Sequence, residues 1–384
     1  MELCTPALRN SSLPLMPNRA VQVSQHGKGW NGSFWNISRG KRICWRTASC
    51  ALIDFFSTMQ ETGKPVFYHL KTTYLITRSD IKTTIYPATI FALSSALSGP
   101  LLTTNSTPNL LRIILRLPNI ILWTWSNLWI FNLANQRLPN SVLEDSINKP
   151  WRAIPSGRLT PTQARHILLI SIPIVCLSTF YLGGREASAA LMILTWVYND
   201  LGAGDENFFV RHINNALGFV AFGAGASQVA CGFPHHTLNQ DAYLWLGVIA
   251  AVITCTIQFQ DMEDQEGDRL RNRKTLPIVC GDKLTRWGNA VVIILFSLLV
   301  PAFWRMGLAG YLLPVLLGTA ISGRTLFFKS LASDKQTFRL WCLWLTSLYL
   351  LPIVKHQSAL WFYADYSLCI FVWYPIHLSF VVLS

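Results

Sequence analysis

Charged residues are scarce in this sequence. Asp, Glu, Lys and Arg make up 13% of its 384 residues, whereas hydrophobic residues make up 51%. A soluble globular domain carries a charge on about a quarter of its residues. The composition therefore excludes an ordinary soluble domain and favours a protein that lies within a lipid bilayer.

Polar interruptions are also missing from many long stretches. Apolar runs near the length that crosses a bilayer, about 20 residues, recur from Tyr86 onwards. We predict spans at residues 86–103, 114–134, 164–183, 187–200, 213–231, 242–260, 286–303, 308–328 and 338–354. A further apolar stretch, 359–384, is either an extra span or a re-entrant tail. The predicted fold class is all-α: a polytopic membrane bundle of about nine transmembrane helices.

Acidic residues are fewer than basic ones, and the formal net charge is +13. In a soluble protein this charge would suggest nucleic acid as a partner. Here the basic residues cluster in alternate loops, at 137–165, near 211, at 269–286 and at 329–339. The intervening loops carry few basic residues, chiefly Arg112, Arg185, Arg305 and Lys355. By the positive-inside rule the basic loops are cytosolic, and no nucleic-acid partner is expected.

Cysteine patterns typical of metal sites or disulfide frameworks are absent as well. The nine cysteines are scattered, and Cys176, Cys255 and Cys342 fall within predicted spans. We interpret them as small buried apolar residues.

The chain divides into an arm and a membrane domain. Residues 1–65 are polar, basic and irregular, and we expect a flexible cytosolic arm. Residues 66–85 mix aromatic and charged side chains, which is typical of an interfacial helix. No linker interrupts the sequence after that point, so residues 66–384 form one predicted domain.

The few acidic residues gather at the ends of the apolar stretches. Asp261, Asp264 and Asp268 follow one predicted span, with Arg273 and Lys274 close behind. Carboxylates at i, i+3 and i+7 share one face of a helix. The negative charges of these carboxylates repel one another. Mg²⁺, which binds carboxylates together with substrate phosphates, would offset this repulsion. An ordinary solvated loop is the alternative.

A second, looser cluster follows another span. It consists of Asn135, Glu144, Asp145, Lys149 and Arg152, and Pro139 breaks any regular helix between the first two. By itself it could be an ordinary polar loop. If this second cluster faces Asp261, Asp264 and Asp268 across the bundle, the two clusters together predict a site that binds metal and diphosphate.

A third polar segment lies on the same predicted face of the membrane. Arg211 and Asn215 stand close to an apolar span, where polar groups usually serve a function. Tyr198 precedes them, and Asp205 is either part of the site or a helix cap.

These motifs resemble the UbiA superfamily of intramembrane prenyltransferases, over about residues 70–354. Asp261-x-x-Asp264-x-x-Gly267-Asp268 is similar to the second aspartate-rich motif of the family. Asn135-Gln136 and Asp145-x-x-Asn148-Lys149-Pro150-x-Arg152 resemble the first. One position departs from the pattern, because Ser141 stands where the earlier Asp of the first motif belongs.

A fungal branch of the superfamily has similar sequences at these positions. The similarity covers the altered first motif and the segments Tyr198-Asn199-Asp200 and Gly204-Asp205-Glu206. That branch includes membrane-bound terpene cyclases of the fumagillin bergamotene synthase type. The resemblance implies a Mg²⁺-dependent enzyme of secondary metabolism that takes farnesyl or geranylgeranyl diphosphate, and downstream tailoring enzymes as possible partners. The metal ligands it implies are Asp261, Asp264, Asp268, Asn135 and Asp145, with Glu144 as an additional catalytic carboxylate. The residues expected at the substrate are Lys149, Arg152, Arg211, Asn215, Tyr198, Arg273 and Lys274.

Two fates of the ionised substrate stay open at this point. The allylic cation can close on its own double bonds, as in a terpene cyclase, or alkylate an acceptor, as in a prenyltransferase. The altered first motif and the branch resemblance favour cyclisation. A transporter is a remote third reading, because its carboxylates would lie near the middle of spans. We further expect a multi-pass protein of the endoplasmic reticulum, with both acidic clusters facing the cytosol.

Overall fold

The computed structural model describes residues 65–357, and within them the chain is almost entirely helical. The predicted arm, except its last residue, and the apolar stretch 359–384 lie outside the described residues. A short π-helical segment, Ile81–Ile85, precedes the helix Tyr86–Leu97, and a 3₁₀ turn, Gly99–Leu101, follows that helix. The α-helices are α1 Val66–Thr77, α2 Tyr86–Leu97, α3 Leu110–Leu115, α4 Leu117–Gln136, α5 Pro139–Asn148, α6 Pro161–Leu182, α7 Arg185–Asn199, α8 Ala203–Glu206, α9 Phe208–Cys231, α10 Gln240–Thr256, α11 Gln258–Leu270, α12 Leu276–Val279, α13 Asp282–Phe303, α14 Leu308–Phe327 and α15 Leu331–Tyr349.

Every predicted span overlaps one of the long helices, but the predicted number of spans is not confirmed. Four helical stretches of the described residues are long and apolar enough to cross a membrane: Pro161–Leu182, Gln240–Leu270, Asp282–Phe303 and Leu331–Gln357. The helices at two other predicted spans, α2 and α7, are too short to meet this criterion, with 12 and 15 residues. In other long helices polar residues enter the sequence. Asn127, Asn132 and Asn135 do so in α4, for example. All three line a cavity inside the bundle.

Local sequence sets the helix boundaries near the acidic clusters. The helix α4 ends at Gln136, and Pro139 begins α5 at its first turn, where the missing N–H of proline costs nothing. The break predicted at Pro139 is therefore present. Farther along, Thr160 and Gln163 form a capping box that starts α6.

The helix α9 lies at the centre of the described bundle and packs against α2, α4, α7 and α10. Close packing here depends on small residues. A side chain at Gly225 would overlap the ring of Trp123, which is fully buried. Small residues at helix contacts in membranes let backbones approach in this way.

The outer surface of the bundle is apolar. Ile174, Leu177 and Phe180 of α6 and Leu312 and Leu316 of α14 are all exposed. An apolar outer surface suits a lipid environment. Among the cysteines in predicted spans, Cys342 is buried as expected, whereas Cys176 and Cys255 are exposed. Their burial was wrongly predicted, because these positions face outward from their helices.

Candidate active site

A cavity of about 130 Å³ lies between α4, α7 and α9. Most of its charged residues come from α5, α11 and the segments that follow these two helices, together with Arg211 of α9, and its apolar residues lie on α4, α7 and α9. The polar lining includes Asn135, Glu144, Lys149, Arg152, Tyr198, Arg211, Asn214, Asn215, Gln260, Asp264 and Arg273. The apolar lining consists of Leu128, Phe131, Leu191, Leu194, Phe219 and Phe222. The cavity thus has a charged end and a mostly apolar end, which also includes the amide side chain of Asn127. We call the second the apolar end.

Asp261, the first carboxylate of α11, binds to two residues of α9. The Nη2 atom of Arg211 donates to its Oδ1 atom at 2.7 Å, and the Nε2 atom of His212 lies 3.5 Å from its Oδ2 atom. The same guanidinium of Arg211 donates to the Tyr198 hydroxyl. Asp261 and Arg211 are both buried, so each offsets the charge of the other in a poorly solvated place.

Asp264 binds to the segment after α5. The Nζ atom of Lys149 donates to its Oδ2 atom at 2.9 Å. The side chain of Asn148, the last residue of α5, forms two hydrogen bonds with the backbone of α11. Its Nδ2 atom donates to the Asp264 carbonyl at 3.1 Å, and its Oδ1 atom accepts from the Gly267 N–H at 3.2 Å. A Cβ atom at Gly267 would overlap the Asn148 amide. The glycine is therefore what allows α5 to approach α11 at this point.

Asp268 is the most deeply buried of the three carboxylates. Its Oδ1 atom accepts from the Nη1 atom of Arg273 at 2.9 Å. Its Oδ2 atom is buried and has no hydrogen-bond partner among the residues that the structure describes. A buried carboxylate oxygen that accepts no hydrogen bond lowers the stability of the fold, unless a ligand supplies a donor or a positive charge.

A turn after α11 brings two arginines to Glu144. Asn272 adopts a φ of 57°, a left-handed conformation that Asn tolerates better than most residues. Glu144 accepts from Arg271 at 2.9 Å and from Arg273 at 3.2 Å. Burial raises the pKa of the Glu144 carboxyl, but Arg273, Lys149 and Arg271 lower it more strongly, to about 2. Glu144 is therefore ionised at neutral pH.

Asp145 pairs with Arg152 through both carboxylate oxygens, at 2.8 and 2.9 Å. Arg152 also donates to the Ser79 hydroxyl at 2.7 Å and lies 3.7 Å from Asp80. Burial raises the pKa of Asp145, although the Arg152 charge opposes the shift. Arg152 thus connects the loop after α5 to the segment before α2.

The structure brings almost all the predicted site residues together. Asn135 lies at the cavity and donates to the side chain of Asn199 at 2.8 Å. Lys274 differs, because it is exposed and does not line the cavity.

Several contacts were not predicted from the sequence. Arg271, rather than Lys274, joins Arg273 beside Glu144. Asp205 accepts from both arginines, which favours a role in the site over that of a helix cap. Ser141, in place of the expected Asp, accepts from Arg271 at 2.7 Å. His212 and the Ser79–Asp80 pair carried no motif signal that could have identified them.

The donor chemistry fits Mg²⁺, which prefers carboxylate and amide oxygens. The partnerless Asp268 Oδ2 atom and the two acidic segments at one cavity end supply such donors. In this arrangement the carboxylates bind arginine and lysine side chains, and Asp268 and Glu144 share Arg273. No group of three His, Cys, Asp or Glu side chains among the described residues is gathered closely enough to hold a metal.

Comparisons with known proteins converge on one family. The sequence profile of the UbiA prenyltransferase family matches residues 92–348. The sequence is 28% identical to the somaliensene A/B synthase of Streptomyces somaliensis, over 60% of this chain and 72% of that enzyme. It is also 28% identical to the fumagillin β-trans-bergamotene synthase of Aspergillus fumigatus (63% of this chain, 78% of that enzyme).

A diterpene cyclase of Hericium erinaceus is 30% identical over 62% of this chain and 72% of that enzyme. A polyprenyl transferase of the same fungus matches as well, at 29% identity over 62% of this chain and 78% of the relative. Among solved structures, a UbiA homolog from Archaeoglobus fulgidus bound to GPP and Mg²⁺ aligns with a TM-score of 0.49 and 14% identity. That alignment covers 73% of this chain and 99% of the homolog.

Proposed function

Because this chain belongs to the UbiA prenyltransferase family of membrane enzymes, we propose that it is a terpene cyclase. It ionises an allylic prenyl diphosphate, farnesyl or geranylgeranyl diphosphate, by breaking the bond between carbon and the diphosphate oxygen. The resulting cation closes into a ring and then loses a proton to the released pyrophosphate, which leaves a neutral cyclic hydrocarbon. One observation carries this proposal: a single cavity joins a charged end to an apolar end. A prenyl diphosphate has the same two-part chemistry.

The cations of the charged end hold the diphosphate and stabilise its departure. Arg211, Arg273, Lys149 and Arg152 all line this end. Guanidinium groups bind phosphate oxygens through paired N–H donors. Because they are fixed in place by Asp261, Asp268 and Asp145, little reorganisation is needed as charge develops on the leaving group.

The residues that would hold Mg²⁺ are Asp261, Asp264, Asp268, Asn135 and Asp145, and the four carboxylates would first have to turn away from their arginine and lysine partners. When bound, Mg²⁺ supplies Lewis-acid neutralisation of the diphosphate, worth several kcal/mol. Glu144 stays with Arg271 and Arg273 and keeps their guanidinium groups oriented.

The apolar end holds the prenyl chain and keeps water away from it. Phe131, Phe219 and Phe222 line this end. Aromatic faces attract cations through their quadrupoles, so these rings are placed to stabilise the allylic cation. Leu128, Leu191 and Leu194 complete the apolar wall.

Cyclisation is supported over acceptor prenylation by two observations. Ser141 replaces a carboxylate of the first motif and binds to Arg271, and three of the relatives described above are named as terpene synthases or cyclases. The alternative is prenyl transfer to an aromatic or other acceptor, which the polyprenyl transferase relative supports. A transporter is disfavoured because the described carboxylates of the site gather at one end of the bundle.

The same proposal places the protein in the endoplasmic reticulum, with the charged end of the cavity open to the cytosol where diphosphates are available. Its product would then enter secondary metabolism through tailoring enzymes.

The test is incubation of microsomes that contain the protein with farnesyl or geranylgeranyl diphosphate and Mg²⁺, without an acceptor. We expect a cyclic hydrocarbon from at least one substrate. Product that forms only after an aromatic or glyceryl acceptor is added would instead establish the alternative.

A further inference from the structure

A second cavity, of about 270 Å³, adjoins the charged end of the reaction cavity. We call it the vestibule. The two cavities share Asp80, Thr83, Lys149 and Gln260 in their walls. Lys149, which binds to Asp264 in the site, therefore stands between the two cavities.

The vestibule is strongly cationic. Arg78, Lys82, Lys149, Lys335 and Arg339 line it, against the two carboxylates Asp80 and Glu263. The excess of positive charge creates a potential that attracts anions.

Three of these cations make no ion pair among the described residues: Arg78, which lies over the Trp151 ring, and Lys335 and Arg339. Lys335 and Arg339 lie one helical turn apart on α15, are exposed and make no ion pair. Like charges at i and i+4 destabilise a helix. An anion bound between them would relieve this repulsion.

Aromatic rings position two of the cations at the vestibule wall. The guanidinium of Arg78 lies 4.5 Å from the ring centre of Trp151, and the Lys82 ammonium lies 4.7 Å from that of Phe338. Lys82 is also 3.8 Å from Glu263, a long distance for an ion pair. With these rings covered by cations, little apolar surface is left for a prenyl chain.

We propose that the vestibule binds the pyrophosphate released in the reaction cavity and passes it to the solvent. This inference rests on the proposed function only in taking pyrophosphate as the leaving group. The anion moves from Lys149, which both cavities share, to Lys335 and Arg339. It therefore need not cross the apolar end of the reaction cavity.

The test uses the full-length protein in phosphatidylcholine nanodiscs. Pyrophosphate is titrated in the presence of EDTA into the wild type and into Lys335→Gln/Arg339→Gln. A control variant, Lys283→Gln/Lys329→Gln, removes two exposed cations near the same end of the bundle but outside the vestibule.

We expect pyrophosphate to bind about tenfold more weakly to Lys335→Gln/Arg339→Gln, the vestibule variant, since two charge-assisted contacts are lost. The control variant should bind pyrophosphate like the wild type. Equal weakening in both variants, or no metal-independent binding at all, would overturn the proposal.

Kinetics provide the second arm. With substrate and Mg²⁺, the vestibule variant should keep the wild-type rate in a single turnover but lose rate in steady state, because only product release is slowed. A parallel loss in both regimes would assign these residues to the chemical step and contradict the proposal. The titration needs no turnover, so failure of the proposed cyclisation can be distinguished from failure of this inference.

A lipid phosphate shares the chemistry of pyrophosphate and is tested separately. When phosphatidylserine replaces part of the phosphatidylcholine, we expect pyrophosphate to bind with the same affinity. Competition by the anionic lipid would show that a headgroup occupies the vestibule, and would overturn the proposal.

Discussion

At the scale of single residues, each carboxylate of the second motif is held by a cation from a different part of the chain. Asp261 binds Arg211, Asp264 binds Lys149 and Asp268 binds Arg273. Removing one partner of a buried ion pair leaves a charge uncompensated and costs about 3–5 kcal/mol. A carboxylate variant at this site can therefore lose activity through stability as well as through chemistry.

Asp261→Asn should lower the turnover rate by a factor of about 100 or more and also lower the thermal midpoint, because Arg211 becomes unpaired. The double variant Asp261→Asn/Arg211→Gln removes both charges. We expect it to recover much of the midpoint while turnover stays absent, as measured by thermal unfolding and pyrophosphate release. Recovery of turnover in the double variant would show that the loss was only structural.

Glu144 gives the site a pH dependence. Its folded-state pKa of about 2 lies below the ordinary value of 4.5, so its stabilising contribution is complete above pH 4.5 and is lost as the pH falls towards 2. This shift corresponds to about 3 kcal/mol. Glu144→Gln should thus lower the thermal midpoint at neutral pH, and the difference from the wild type should shrink between about pH 5 and pH 2. A difference that is constant over this range would contradict the assignment.

At the scale of elements, α5 and α11 approach each other through Asn148 and Gly267. We predict that Gly267→Ala lowers both the thermal midpoint and, by about tenfold, the turnover rate, because the new methyl group displaces Asn148 and with it Lys149. Gly288→Ala in α13 is the matched control. Apart from the backbone of its own helix and its chain neighbours, no atom lies within 4 Å of its added methyl group, so the substitution should be neutral or slightly stabilising.

A rescue variant sharpens this test. Gly267→Ala/Asn148→Ala removes the overlapping side chain, and part of the midpoint should return. If Gly267→Ala behaves like the control, the close approach of α5 and α11 is not needed for the site.

Sequence patterns predicted the positions of the elements better than the contacts between them. Apolar runs located the long helices, Pro139 located the break before α5, and the i, i+3, i+7 spacing located the acidic face of α11. The choice of Arg271 over Lys274 could not be predicted, since it depends on the left-handed turn at Asn272. The Asn148 contact joins residues more than 100 positions apart, and such a contact follows only from the packing of the bundle.

At the scale of the whole molecule, the distribution of charge predicts the orientation in the membrane. The basic loops lie at the end of the bundle that carries the site, and the positive-inside rule assigns this end to the cytosol. In a variant without its native cysteines, Lys274→Cys should react with a membrane-impermeant maleimide in sealed microsomes. Gly307→Cys, at the opposite end, should react only after permeabilisation. The reverse pattern would contradict the orientation.

The central claim is that one cavity both ionises the diphosphate and closes the cation. The most direct measurement is the ratio of cyclic terpene formed to pyrophosphate released by the purified protein in nanodiscs, with farnesyl or geranylgeranyl diphosphate, Mg²⁺ and no acceptor. We predict a ratio close to one, since each ionisation should end in ring closure within the water-excluding apolar end. Release of pyrophosphate with only a linear alcohol as product, or release that requires an added acceptor, would contradict the claim.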